Sequence, residues 1–212
     1  MSGRVHVVDY GVGNLYSVAR AVEKAGGEVV LTESRADIAA ADRLLLPGVG
    51  AFRDGMAGLA RQGLDDAVRA FAETGRPLLG ICLGMQMLTG ESHEFGVHPG
   101  LGLVPGRVAP IPRAGVDGTP HKVPFIGWAA LEPTRADGFG DTPLAEIGGD
   151  SIYLVHSFHV EPENRGDLLA VYRYDGVAIT AAIQRGNVFG CQFHPEKSGP
   201  AGLAIVQRFL AG

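Results

Sequence analysis

Along the first part of the chain, apolar runs of strand length alternate with stretches of helical spacing. "RVHVVDY" (4–10) reads as a buried strand ending in the glycine-rich turn Gly11-Val12-Gly13-Asn14. In "LYSVARAVEKAG" (15–26), Leu15, Val18, Ala19 and Val22 recur on one helical face, and Gly26-Gly27 stop the helix. "GEVVLTE" gives a second strand and the leucines of "ADRLLLPGVG" a third, near Leu44–Leu46. "GLDDAVRAFAETG" is a helix with Leu64, Ala67, Val68 and Phe71 inward; "PLLGI" is the next strand, with a helix beginning near Met85. Strand–helix alternation of this kind implies parallel pairing with helices on both sheet faces, a doubly wound α/β arrangement.

The pattern then changes. From Val104 to Ile126 the chain is rich in Pro, Gly and Arg and holds only short apolar pieces. "SIYLVHSFHVEP", "LLAVYRYDG", "VAITAAIQRG" and "NVFGCQFHP" follow as strands with turn signals and no helix between them, which predicts antiparallel hairpins. "AGLAIVQRFLAG" closes the chain as a helix. With no break in composition, no repeat and no low-complexity tract, residues 1–212 read as a single α/β domain, its mostly parallel sheet carrying an antiparallel C-terminal extension.

Composition narrows the functional classes. Hydrophobic residues at 46% and charged ones at 19% describe an ordinary globular chain, and a formal charge of -5 argues against a nucleic-acid binder. No apolar stretch has membrane-spanning length, and "MSGRVHVVDYG" lacks the regions of a signal peptide. Two cysteines, Cys82 and Cys191, make no disulfide framework, so a cytoplasmic setting with reduced thiols is expected.

One of those cysteines has a special setting. In "PLLGICLGMQML" (77–88) Cys82 lies between Gly80 and Gly84, where a strand becomes a helix. Glycines two positions to either side permit a sharp turn that exposes a nucleophile. In doubly wound sheets, functional groups gather at such strand ends. The unpaired N–H groups and partial positive charge of a helix start favour thiolate over thiol, and the Leu83 N–H is placed to meet an oxyanion. The pattern alone leaves open a small buried cysteine. A thiolate acting on an amide also needs a proton relay. Among seven histidines, only His194 ends an apolar strand, enters a proline and has a carboxylate two residues on. In extended His194-Pro195-Glu196 both side chains point the same way, so Glu196 can orient the imidazole. Taken alone, that pair is also compatible with a surface ion pair. His6 reads as structural, His93, His98 and His121 as solvated, and Cys191 as strand packing.

Together, "GICLGMQ" (80–86) and "FHPEKS" (193–198) resemble the class I, triad-type glutamine amidotransferases, a family with a flavodoxin-like fold. Within that family the chain is similar to the glutaminase subunits of imidazole glycerol phosphate synthase. The likeness runs nearly end to end, through "DYGVGNLYSV" (9–18), "LPGVGAF" (46–52) and "YLVHSF" (153–158). Val49 between Gly48 and Gly50 is a feature of that subfamily. The resemblance implies Cys82 as nucleophile, His194 as general base and acid, and Glu196 as orienter. It implies Gly48, Val49 and Gly50 as the oxyanion strand beside Leu83, and Gln86, Ser157 and Phe158 as holders of glutamine. It further implies no metal or organic cofactor. The implied partner is a (β/α)₈-barrel cyclase in a heterodimer of histidine biosynthesis, which receives the ammonia and activates the glutaminase allosterically. Asn14, Trp128, Tyr153 and Lys197 match positions at or near that interface; core packing is the other reading of Trp128. In "PFIGWAAL" (124–131), which resembles the family's interface segment, Phe125 and Ala129 replace the usual histidine and asparagine, and Ser17 of "LYSV" stands where some members carry a second asparagine. A glutaminase serving another synthase, of anthranilate, aminodeoxychorismate, pyridoxal phosphate or purines, is the nearest alternative, and Val49 with the "YGVGN" turn speaks against it. A non-catalytic thiol protein and a cysteine peptidase are more distant ones.

Overall fold

In a computed structural model, which describes residues 4–212, the apolar runs become the centre of an eight-stranded sheet. In chain order the elements are β1 (Arg4–Val8), α1 (Leu15–Lys24), β2 (Glu28–Thr32), α2 (Arg35–Ala40), β3 (Leu44–Leu46), α3 (Phe52–Arg61), α4 (Leu64–Glu73), β4 (Leu78–Ile81) and α5 (Leu83–Met87). Then follow β5 (Thr89–Ser92), β6 (His98–Pro99), β7 (Val104–Pro110), β8 (Phe125–Ala130), β9 (Glu132–Pro133), β10 (Ser151–His156) and β11 (Phe158–Pro162). The chain ends with β12 (Leu168–Tyr174), β13 (Val177–Arg185), β14 (Val188–Cys191) and α6 (Gly199–Ala211). The main sheet runs β2-β1-β3-β4-β14-β13-β12-β9. Its first five strands are parallel, and from β14 onward the pairing is antiparallel. The hairpin strands are therefore continuous with the parallel core.

Alternation along the strands divides the interior in two. Val5 and Val7 bury with Val18 and Val22 of α1 and Ile205 and Phe209 of α6. Val8, Leu44 and Leu46 bury on the other face with Leu59 of α3 and with Leu64, Val68 and Phe71 of α4. All four residues expected to face inward from "GLDDAVRAFAETG" are buried, and Asn14 caps α1 by accepting the Ser17 N–H at 3.2 Å.

Several elements differ from the sequence reading. The helix after Cys82 begins at once, at Leu83, and has five residues, because the Cys82 carbonyl already accepts the Gln86 N–H at 3.1 Å. So short a helix contributes free N–H groups more than a macrodipole. Helix α2 buries only Ile38, and α3 carries Gly55 and Gly58, whose weak propensity hides it. Those glycines let α3 approach: a Cβ at Gly55 would meet Met87 Sδ at 2.8 Å, and one at Gly58 the Tyr10 carbonyl at 2.9 Å. "SIYLVHSFHVEP" is two strands, not one. β10 pairs with β8 and β11 with β7, and the chain turns at Ser157, where the Phe158 carbonyl folds back to His156 Nδ1 at 2.8 Å. His121 is also not solvated. Its side chain is fully buried and stacked on Tyr174 at 3.9 Å, with Nδ1 bonded to the Pro112 carbonyl at 2.6 Å.

The turn between β4 and α5 is the tightest place in the fold. A methyl group at Gly84 would overlap the Leu46 carbonyl oxygen of β3, and one at Gly80 would stand 2.8 Å from the Met85 nitrogen. Backbone cannot yield as a flexible side chain does. Gly84→Ala is therefore expected to lower stability by ~3 kcal/mol or more, beyond ordinary overpacking; urea unfolding of the variant beside the parent measures this.

Candidate active site

Three strand ends supply the site. Beyond β3 runs Pro47-Gly48-Val49-Gly50, beyond β4 stands Cys82, and beyond β14 the chain reaches His194. Because β14 lies directly beside β4, with Cys191 opposite Ile81, residues far apart in sequence meet. The Cys82 N–H donates to the Cys191 carbonyl at 2.7 Å, tying the two segments at the point of interest.

Cys82 sits at φ 54° and ψ -110°, a left-handed conformation that costs a non-glycine residue roughly 1–3 kcal/mol. This conformation reverses the chain from strand to helix within one residue. Cys82 is 8% exposed and lines a cleft of ≈ 330 Å³. Val49, Gly50, Leu83, Gln86, Ser157, Phe158 and His194 line the same cleft. Gly48 lies beneath, where a Cβ would come within 2.5 Å of the Tyr10 hydroxyl and 2.9 Å of Leu83 Cβ. The Tyr10 hydroxyl donates to the Pro47 carbonyl at 2.7 Å and so braces this strand from inside. Burial, with the nearby charge of Cys82, keeps that hydroxyl protonated. Gly50 takes φ +97°, while Val49 is partly exposed above the cleft.

His194 and Glu196 are both almost fully buried, and the imidazole Nδ1 meets Glu196 Oε1 at 2.7 Å. That leaves Nε2 on the sulfur side, and His194 and Cys82 line the same cleft. The backbone fixes the ring's base: the His194 N–H donates to the Tyr153 carbonyl at 3.0 Å, and its carbonyl accepts the Ser198 hydroxyl at 2.7 Å. Burial pushes the imidazole down. The pull of Cys82 and Glu196 outweighs it and raises the ring to about 9. Sulfur, imidazole and carboxylate thus stand in series.

Sequence reasoning missed some of the cleft. Glu94, Phe95, Val155 and His156 also line it. Glu94 Oε2 accepts the Phe52 N–H at 2.6 Å, tying the cleft wall to the start of α3. Phe95, 87% exposed at φ 52°, meets the Phe158 ring edge-on at 6.0 Å. "SHEFG" reads as an ordinary polar loop and offered no signal for either. His156 takes a hydrogen bond from the Tyr172 hydroxyl at 3.0 Å; burial lowers it to about 4, so it is neutral and its Nδ1–H holds the Phe158 carbonyl. Gln192 touches the sulfur. Its signal was there, a polar residue in an apolar strand and in step with His194.

Of the four matched interface positions, three form one cluster beside His194. Trp128 is 56% exposed, which excludes core packing, and lies edge-on to Tyr153 at 5.8 Å. Lys197 Nζ stands 5.9 Å over the Tyr153 ring. Asn14 is at the start of α1. Phe125 turns inward onto Tyr172 and Tyr174 at 4.8 and 4.9 Å, so its departure from the usual residue affects the inner face of β8.

A thiol, an imidazole and a carboxylate in series at the carboxyl edge of a parallel sheet are the equipment of a cysteine-dependent hydrolase of the α/β class. The particular family follows from comparison: the chain belongs to the class-I glutamine amidotransferases, whose family model matches residues 6–212. It is 51% identical over 208 residues to imidazole glycerol phosphate synthase subunit HisH 1 of Legionella pneumophila, covering 97% of this chain and 98% of that protein. Imidazole glycerol phosphate synthase subunit HisH of Geobacillus thermodenitrificans is 45% identical over 207 residues, 97% of this chain and 94% of its own. In fold, the chain superposes on a structure of PurLQS from Thermotoga maritima with a TM-score of 0.75 at 23% identity, covering 100% of this chain and 99% of that one.

The electrostatics give a measurable signature. His194 is expected to stay protonated through neutral pH and titrate at about 9. Its raised folded-state value contributes stability that is fully present below about 6.5, the free imidazole value, and lost as pH rises through about 9. In Cys82→Ser the titration, followed by NMR of the ring protons, should move downward.

Proposed function

We propose that the chain is the glutamine-hydrolysing subunit of an imidazole glycerol phosphate synthase, working through Cys82, His194 and Glu196. The observation that carries the reading is Cys82 and His194 lining one cleft sized for an amino acid, with Glu196 bonded to the far nitrogen of the imidazole; the identity to two such subunits supports the particular synthase.

The mechanism follows from the geometry. Cys82 Sγ, as thiolate beside the His194 imidazolium, attacks the side-chain carbonyl of glutamine. The developing oxyanion is held by the backbone N–H groups of Leu83 and Val49, at the head of α5 and on the strand above it. His194 delivers its proton to the departing nitrogen, ammonia leaves, and a glutamyl thioester remains. His194 then takes a proton from water, which attacks the thioester; glutamate departs and the thiolate returns. Glu196 keeps the imidazole in register and stabilises its cation. Gln86, Ser157 and Phe158 meet the amino-acid end, and Glu94 adds a carboxylate suited to an α-ammonium group.

Ammonia then passes to the synthase partner, a (β/α)₈-barrel cyclase in a cytoplasmic heterodimer of histidine biosynthesis, which activates the glutaminase on docking. Trp128, Tyr153 and Lys197, with Asn14, supply the docking face. Among the described residues no helix is long and apolar enough to cross a membrane.

Cys82→Ala is expected to abolish glutamine-dependent synthesis and leave ammonia-dependent synthesis by the complex intact; loss of both would refute the division of labour. Glu196→Gln should reduce kcat about two orders of magnitude less than His194→Ala, orientation being secondary to proton transfer. Trp128→Ala is expected to keep stability within about 0.5 kcal/mol, as for an exposed position, while weakening stimulation by the cyclase in a titration of glutaminase rate against partner.

A further inference from the structure

The reacting sulfur has a neighbour that the mechanism above leaves unused. Gln192 is 0% exposed, and its Nε2 stands 3.6 Å from Cys82 Sγ. A side-chain amide can stand either way round, and one backbone carbonyl fixes the direction of this contact. The Phe158 oxygen can only accept, and it receives His156 Nδ1 at 2.8 Å and Gln86 Nε2 at 3.2 Å. Gln86 must therefore present its NH₂ group there. The same nitrogen reaches Gln192 Oε1 at 3.0 Å, where its second hydrogen is donated. With its oxygen so engaged, Gln192 turns its own NH₂ toward the sulfur. Reversing Gln86 would set oxygen against oxygen at Phe158, and reversing Gln192 would set N–H against N–H between the two amides.

We propose that Gln192 is a fourth member of the reacting centre, its Nε2–H donating to the Cys82 thiolate and fixing the line along which the sulfur attacks. The proposal rests on Cys82 being the nucleophile. A donor with no charge of its own holds the anion without competing for the proton that His194 must carry. A hydrogen bond to an ionised acceptor is stronger than one to a neutral group. The bond therefore favours the thiolate before attack, and again when the thioester collapses and sulfur leaves as an anion. Through Gln86 and the Phe158 carbonyl, the same amide is joined to the wall against which glutamine rests. The two ends of the cleft are thus set by one directional chain of hydrogen bonds.

The test uses Gln192→Met, which keeps the length of the side chain and removes the donor. Iodoacetamide alkylation of Cys82, followed by mass spectrometry across pH, reads the sulfur without substrate. The pH of half-maximal rate should move upward, with alkylation roughly 10-fold slower at pH 7, the scale of a lost charge-assisted hydrogen bond. In glutamine hydrolysis kcat should fall roughly 10- to 100-fold with KM within about threefold. An unchanged alkylation profile overturns the proposal. So does a raised KM with kcat retained, which would make Gln192 a support of the substrate wall only. Should the variant not fold by circular dichroism, Gln192→Asn keeps an amide but withdraws it from the sulfur, and the same readings decide. Failure of both to fold makes Gln192 a part of the scaffold and overturns the proposal. The alkylation arm reports on the contact whatever amide is hydrolysed. Failure of the glutaminase reading shows separately, as glutamine turnover persisting in Cys82→Ala.

Discussion

Where β3 ends, the carbonyl of Leu46 lies against the Cα of Gly84, with no room for a methyl group between them. That contact sets the spacing between the oxyanion strand and the nucleophile turn. Gly48 meets the same turn from the other side, pressed between the Tyr10 hydroxyl and Leu83. The backbone strain at Cys82 persists because these contacts, and the 2.7 Å bond from its N–H to Cys191, leave the chain no other course. Rigid strands on both sides then make the N–H of Leu83 and the sulfur part of one fixed body. Precision here comes from small residues packed backbone to backbone.

The two cysteines show how position divides identical chemistry. Cys191 is in the next strand, wholly enclosed, and burial above all, with the charges of Glu196 and Cys82, pushes its thiol well up. It stays a small apolar group. Cys82 differs by sharing an open cleft with an imidazole that it helps to charge. Exposure is slight in both, so solvent contact is not the distinction. What matters is a cationic partner held by its own carboxylate, in a place that a substrate can reach.

Much of this was legible in the sequence. The 3.6-residue spacing of Leu64, Val68 and Phe71, and the strand–helix alternation, reported the parallel core because those elements bury one clean face. Gly80 and Gly84 around Cys82 reported the turn for the steric reason that the fold displays. Other features were hidden by non-local physics. Gly55 and Gly58 weaken α3 as an isolated helix, and only the packing of Met87 and Tyr10 against them explains the element. The break at Ser157 is invisible in "YLVHSFHV", since the apolar pattern continues through it; a buried neutral histidine gripping a carbonyl two residues on creates it. Glu94 and Phe95 enter the cleft only because a loop returns over it, and nothing in their immediate neighbours announces that.

The same break has a mechanical meaning. β10 and β8 form a two-stranded ribbon of their own, bearing Trp128 and Tyr153 on its outer side. The backbone of Tyr153 is clasped twice to the segment that carries the imidazole, through the His194 N–H and the Ser198 hydroxyl, each at 3.0 Å. One end of the ribbon runs into Ser157 and the wall of the cleft. The ribbon therefore joins an outward aromatic pair to two parts of the site at once, the segment that carries the imidazole and the wall of the cleft, whereas the sulfur belongs to the central sheet.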